Sequence, residues 1–351
     1  MRPLPPGPAP SPPSPSDRVL AVRTDSVGDV LLCGPAVRAL AAGGAEVTFL
    51  ASPRGEPAAR LLPGVSRTMT FDTPWIAADP PPADPVEVER LVGEIRALGV
   101  DRAVVFTSFH QSALPMALLL RLAGVPHVAA ISDDYPGSLL DVRHRVPDDL
   151  HEVERALSLA ATCGDRLVDD DDDRLRIRGV DRHRCGGSFV VVHPGASAPA
   201  RTLAPEVFRD AVAELIDRGR QVVVTGGPGE ERLAEAVRGD APGATWMAGR
   251  LDLHGLARLV AAADALVVGN TGPAHVAAAV GTPVVSAYPP TVPWERWRPW
   301  RVPAVRLGDQ EVPCAGCRAR SCPQEVQHCF AGITAADVAD AVDLLVGTAG
   351  P

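Results

Sequence analysis

From Arg18 onward the chain alternates two hydrophobic patterns. One is a short, almost wholly apolar run, as in Val19–Val22, Val47–Ala51, Ala103–Phe106, Val190–Val192, Val222–Val224, Leu266–Val268 and Val284–Ala287. The other is a longer stretch in which apolar residues recur every three or four positions, as at Val88, Leu91, Val92, Ile95 and Leu98. Short apolar runs of this kind, three to five residues long, predict strands buried on both faces, and the second pattern predicts amphipathic helices. Strands are expected at 18–23, 46–51, 68–72, 102–107, 124–131, 188–193, 220–224, 245–249, 265–268 and 284–287. Helices are expected at 29–40, in a stretch ending at 60–62, and at 86–98, 113–122, 151–163, 205–218, 230–235, 252–260, 274–280 and 333–345. Strand and helix in strict alternation, with glycine loops at strand ends, predict an α/β protein with parallel sheets.

The pattern also divides the chain. Met1–Ser16 is half proline and buries too little to order itself, so 1–17 is expected to be a disordered Pro-rich tail. One Rossmann-like domain is expected over 18–164, a linker over 165–187, and a second Rossmann-like domain over 188–351. The linker contains Asp169-Asp-Asp-Asp-Asp173, which reads as a solvated, self-repelling run rather than a metal site. The chain has 351 residues, 46% hydrophobic and 22% charged, which fits two soluble globular domains. A net charge of −9 argues against nucleic acid as a partner. No apolar run reaches the ~20 residues that span a bilayer, and the N-terminus carries no secretory signal. The chain is therefore expected in the cytoplasm, with any membrane contact peripheral.

Candidate chemistry sits at strand ends, where α/β proteins bind ligands. After the first strand, Asp29 opens a helix, where free N–H groups and the dipole keep a carboxylate ionised. It reads either as a general base or as a cap. His110 lies at another strand end and reads as an acceptor contact or as a loop histidine. Arg201 follows the Gly loop of Val190–Ser197 and can meet a diphosphate as a planar fork. Glu230 and Glu231 read equally as nucleoside ligands or as acids favoured in a first helical turn. Asn270, Thr271, Gly272 and His275 form a loop and helix start suited to a phosphorylated ligand. Trp294, Trp297 and Trp300 read as a sugar platform or, with more weight, as cover for a hydrophobic edge. Cys314, Cys317, Cys322 and Cys329 cluster beside His328 in a non-standard spacing, and in a cytosolic chain this favours a structural zinc site.

Three blocks together resemble glycosyltransferase family 9, the heptosyltransferases. The first is Arg23, Gly28, Asp29 and Pro35, on a pattern of Arg/Lys-x-x-x-x-Gly-Asp-x-x-x-x-x-Pro. The second is His193-Pro-Gly-Ala-Ser197 with Arg201 where the family has Lys. The third is Thr271, Gly272, His275, Ala278, Ala279, Gly281 and Pro283, with Asn270 where the family usually has Asp. The resemblance implies a GT-B fold, two Rossmann-like domains facing a cleft, and inverting transfer of a sugar, heptose in the best-known members, from an ADP-sugar to an envelope glycan or glycolipid. It implies Asp29 as the catalytic base and Ser197, Arg201, Glu230, Glu231, Asn270, Thr271, Gly272 and His275 at the donor. Arg23, Ser26 and His110 are assigned to the acceptor. No cofactor is required for catalysis on this reading. A non-catalytic sugar-nucleotide binder and a GT-B epimerase stay open as alternatives.

Overall fold

The computed structural model describes residues 17–76, 80, 82–181 and 188–348. The expected N-terminal tail, apart from Asp17, and the end of the expected linker lie outside the described residues. The chain forms two compact units, the first ending at Asp173 and the second beginning at Arg174.

In the first unit the elements run β1 (Arg18–Arg23), α1 (Val27–Leu32), α2 (Gly34–Ala41), β2 (Glu46–Ala51), α3 (Glu56–Leu61), β3 (Val65–Thr70), α4 (Pro85–Leu98), β4 (Arg102–Val105), α5 (Leu114–Leu122), β5 (His127–Ile131), β6 (Val142–His144) and α6 (Glu152–Thr162). The sheet is parallel in the order β3-β2-β1-β4-β5-β6. Val19, Leu20, Ala21 and Val22 are all buried, as a strand covered on both faces requires. The core joins Leu20, Val22 and Val105 to Leu91 and Ile95 of α4 and to Ala117 and Leu120 of α5.

The second unit repeats this plan: β7 (Phe189–His193), a 3-10 turn at Pro199–Arg201, α7 (Pro205–Asp217), β8 (Gln221–Val224), α8 (Glu231–Arg238), β9 (Ala244–Trp246), α9 (Leu253–Ala262), β10 (Ala265–Gly269), α10 (Gly272–Val280), β11 (Val284–Ala287), α11 (Trp294–Trp297), β12 (Ala304–Leu307) and α12 (Ala335–Thr348). Its parallel sheet runs β12-β11-β10-β7-β8-β9. Phe208, Val212 and Leu215 of α7 and Val338 and Val342 of α12 pack on it. In each unit the first and fourth strands are parallel neighbours, and the strands that follow each of them spread to opposite sides of the sheet. The switch points lie between β1 and β4 and between β7 and β10, where such sheets bind ligands.

Three local features depart from the sequence reading. The single helix expected over 29–40 is two, because Pro35 in the first turn of α2 lacks the N–H that would continue α1, and the chain turns at Cys33. β6 and β12 are edge strands of three and four residues without a continuous buried run, so they gave no clear signal. The acidic stretch is not simply solvated. Asp165 is buried on Arg102 at 2.5 and 2.7 Å, and Asp171 takes a bidentate pair from Arg38 at 2.7 and 2.8 Å. Those two arginines stitch the end of the first unit back onto its own sheet and helices.

Candidate functional site

The first unit gathers charge at its switch point. β1 ends in Arg23, and the chain then turns through Asp25 into α1. Gly55 permits this turn: a Cβ there would stand 2.8 Å from Val30 and 2.9 Å from the Asp25 carbonyl. Ser52 Oγ donates to the same carbonyl at 2.5 Å. Asp29 lies in the first turn of α1, and its Oδ2 accepts from the Ser26 hydroxyl at 2.7 Å and the Ser26 N–H at 3.4 Å. Ser26 is therefore a capping partner of Asp29. Asp29 Oδ1 faces Arg23 Nη2 at 3.1 Å.

Arg23 is 3% exposed, and its guanidinium is shared out. Nε lies 2.6 Å from Asp25 Oδ2, Nη1 lies 3.2 Å from Glu152 Oε2, and Nη2 also donates to Ser108 Oγ at 2.7 Å. A guanidinium buried and surrounded in this way offers little to an incoming acceptor and acts instead through the carboxylates it holds. Asp25 also accepts from Gln111 Nε2 at 2.6 Å. Burial pushes the carboxyls of Asp25 and Glu152 up, and Arg23 works against that rise in both. Of the three acids around Arg23, Asp29 is the accessible one: its side chain is 21% exposed against 9% for Asp25 and 1% for Glu152. His110 lies exposed in the loop after β4, beside the ring of Phe109.

In the second unit the loop after β7 is latched to the end of β10. Asn270 N donates to the Arg201 carbonyl at 2.8 Å, and that carbonyl passes so close that a Cβ on Gly269 would stand 2.5 Å from it. Thr271 is the N-cap of α10, yet its side chain makes no capping bond. Its Oγ1 is buried without a hydrogen-bond partner, as are Arg201 Nε, Asn270 Nδ2, Ser286 Oγ and Thr291 Oγ1. Val268 pairs with Ser286 across β10 and β11, so these atoms belong to one rim. Buried polar atoms left unpaired are costly, and a group of them marks a place for a polar ligand. The nine-residue α10 points its N-terminus at the same rim, with Gly272 first and His275 buried in its first turn; Gly281, at φ 79°, closes it. Tyr288 is buried beside Asn270, and its hydroxyl donates to the Pro293 carbonyl at 3.1 Å.

The remaining expected donor residues are spread around that rim. Glu230 Oε2 accepts from Gly227 N at 2.6 Å and lies 3.8 Å from His193 Nε2. Gly195 exists for this carboxylate, since a Cβ there would fall 2.2 Å from it. Glu231 accepts from Gly229 N at 3.2 Å, and backbone N–H groups hold its carboxyl below the usual range. Ser197 is exposed, and its carbonyl accepts from Arg320 at 3.1 Å. Trp294 packs edge-on against Tyr288, with ring centroids 4.9 Å apart, and Trp300 is buried. The Arg306 guanidinium lies 5.6 Å from the centre of the Trp294 ring, and those of Arg298 and Arg301 lie 5.7 and 5.4 Å from that of Trp300.

In the cysteine segment, burial first and then the neighbouring Cys314 and Cys322 raise the Cys329 thiol above its ordinary value. Among the described residues no three His, Cys, Asp or Glu side chains stand together to hold a metal ion, and Cys314, Cys317, Cys322 and Cys329 are free thiols. The segment is instead tied down by other atoms. Ala200 N donates to the Arg320 carbonyl at 2.9 Å, and Gln327 Nε2 donates to the Ala200 carbonyl at 2.8 Å. Gly316 N reaches the Pro290 carbonyl at 2.6 Å, and Arg318 N reaches the Thr291 carbonyl at 3.1 Å. The cysteine segment is thus a collar joining the Arg201 loop to the loop after β11.

Sequence reasoning missed Asp25, Ser108, Gln111 and Glu152 in the first unit, and Ser286, Tyr288 and Thr291 in the second. Glu152 had a misleading signal, because an acid in a first helical turn is explained by the dipole alone. Ser286 lies inside an apolar strand, and that interruption was the available clue.

The chain matches the model of glycosyltransferase family 9 (heptosyltransferase) over residues 88–328. It is 33% identical over 180 residues to lipopolysaccharide heptosyltransferase 3 of Escherichia coli, a match that spans 49% of this chain and only 51% of that one. It is 28% identical over 329 residues to lipopolysaccharide heptosyltransferase 1 of Pseudomonas aeruginosa, covering 87% of each. Its fold is shared with the solved ADP-heptose lipopolysaccharide heptosyltransferase II of E. coli, at a TM-score of 0.73 and 21% identity, over 94% of this chain and 99% of that one. That is the α/β, GT-B fold the sequence resemblance implied. With the family model matched over most of its length and both switch points equipped with polar side chains, the chain belongs to glycosyltransferase family 9 (heptosyltransferase).

Proposed function

We propose that this chain moves a heptose from ADP-heptose to a hydroxyl of an envelope glycan, with inversion at the anomeric carbon. The observation that carries this reading is the group of unpaired buried polar atoms at the ends of β10 and β11, beside the N-terminus of α10. A diphosphate supplies the acceptor oxygens that Arg201 Nε and Asn270 Nδ2 lack, and the positive end of the α10 dipole favours its charge. In the reaction the acceptor hydroxyl gives its proton to Asp29 as its oxygen bonds to the anomeric carbon. The bond from that carbon to the diphosphate oxygen breaks, and its electron pair leaves with ADP. Arg201, Thr271 and the α10 dipole stabilise the charge that develops there. Glu230 and Ser197, farther round the rim, serve the nucleoside end, and His275 orients the start of α10. Glu231, held by backbone N–H groups, shapes the loop that presents Glu230. Ser26 orients Asp29, and His110 is the exposed contact offered to an acceptor. A membrane-borne glycolipid would be met from the membrane surface, since among the described residues no helix is long and apolar enough to cross a bilayer.

Domain roles follow the same reading: 18–164 serves the acceptor and 188–351 the donor. Asn270 in place of the family's Asp favours one second reading, a binder that leaves the sugar nucleotide intact. Incubation with ADP-heptose and heptose-deficient lipopolysaccharide, followed by mass spectrometry, separates the two. Transfer requires ADP release together with a mass gain of one heptose on the acceptor. Thermal stabilisation by ADP-heptose with no release across a panel of glycan acceptors would make the chain a binder. The absence of both would overturn the donor assignment.

A further inference from the structure

The Arg23 cluster holds more acid than a single base needs. Arg23 Nε, Nη1 and Nη2 each face a different carboxylate, at 2.6 Å (Asp25), 3.2 Å (Glu152) and 3.1 Å (Asp29). Glu152 arrives from α6, 129 residues away in sequence, and is itself 3.4 Å from Arg155 Nε. Also facing the cluster are the buried Cys33 thiol, Ser108 Oγ, Ser26 Oγ on Asp29 and, through Asp25, Gln111. An arginine devoted to Asp29 alone would make that carboxylate a poor proton acceptor, because an opposite charge at contact favours the ionised form. A second and third acid on the same guanidinium divide its attraction and add like-charge repulsion, and both effects favour proton uptake.

We propose that Glu152 is a positioning residue that takes a share of the Arg23 charge and thereby keeps Asp29 able to accept a proton. It touches neither donor nor acceptor in this scheme and acts through Arg23. The inference rests on Asp29 being the base, but its test does not. Replacing Glu152 by Gln keeps the shape and one acceptor oxygen, removes a negative charge, and concentrates Arg23 on Asp29. The Asp29 titration midpoint must then move down, on the scale of about one pH unit expected of a neighbouring charge. The cluster's remaining carboxylate makes the same demand, so Asp25→Asn must move it in the same direction.

The experiment is a carbon-13 NMR titration of protein labelled at the aspartate side-chain carboxyls, with the Asp29 resonance identified by its loss in Asp29→Asn. A lowered Asp29 midpoint in Glu152→Gln supports the proposal, and an unchanged or raised midpoint in the folded variant overturns it. If Glu152→Gln fails to fold, Asp25→Asn decides by the same measurement, and an unmoved midpoint there overturns it. Turnover retained by Asp29→Asn would instead remove the base assignment while leaving the titration result standing, so the two failures are told apart.

Discussion

Asp29 and Arg201 carry the proposed chemistry, and each has a variant that isolates it. Asp29→Asn keeps the hydrogen-bonding shape toward Ser26 and Arg23 but cannot take a proton. Transfer should fall by ~10²–10⁴-fold, the usual worth of a general base, with ADP affinity little changed in calorimetric titration. Arg201→Ala removes a cation whose Nε is buried without a partner. Charge-assisted hydrogen bonds contribute about 1.5–3 kcal/mol, so ADP should bind on the order of 10–100-fold more weakly while adenosine is hardly affected. Equal losses for ADP and adenosine would show that Arg201 does not meet the diphosphate. At this scale the position of a side chain was readable where it lies in the loop or helix start after a strand, as Asn270 and Asp29 do. It was unreadable where a partner comes from a distant element. Nothing near Arg23 in sequence announces Glu152 or Ser108, and only the fold brings them to the guanidinium.

Strands buried on both faces were legible because few polar positions interrupt their apolar runs, and β1, β2, β10 and β11 lie where those runs lie. Segments held by backbone hydrogen bonds were not, and the collar is the main example. Its four cysteines drew a metal reading, while its contacts run through main-chain groups, Arg320 and Gln327, which leave no compositional mark. Two predictions belong to this element. Gln327→Ala removes the bond to the Ala200 carbonyl, one residue from Arg201, and should weaken ADP binding by a few-fold to about tenfold, as one hydrogen bond of 0.5–1.5 kcal/mol allows. Iodoacetamide should modify Cys314 and Cys317, both exposed, in the native protein. Cys33 and Cys163 should react only on unfolding, since burial pushes each thiol up to about 12. Peptide mapping reads both groups at once. Resistance of Cys314 and Cys317 that a chelator relieves would support the metal reading of the segment.

At the scale of the whole molecule, the chain carries one strand order twice, and each copy packs its own core around its own sheet. The binding determinants proposed for ADP all lie on the second copy, between His193 and Thr291. A ligand stabilises the unit that binds it by RT ln(1 + [L]/Kd), ~2.7 kcal/mol at a hundredfold excess over Kd. ADP at that concentration should therefore raise the unfolding transition of the second unit, the one whose core holds Phe208 and Val267. The first unit, cored on Leu91 and Leu120, gains nothing directly from ADP. Scanning calorimetry should show one transition moving and one staying, and Arg201→Ala should abolish the movement. Hydrogen exchange assigns the transitions: protection by ADP should appear at 197–202, 269–276 and 286–291 and be absent from 18–32. Protection of equal size over 18–32 would place ADP contacts on the first unit and would require a donor site drawn from both copies of the fold.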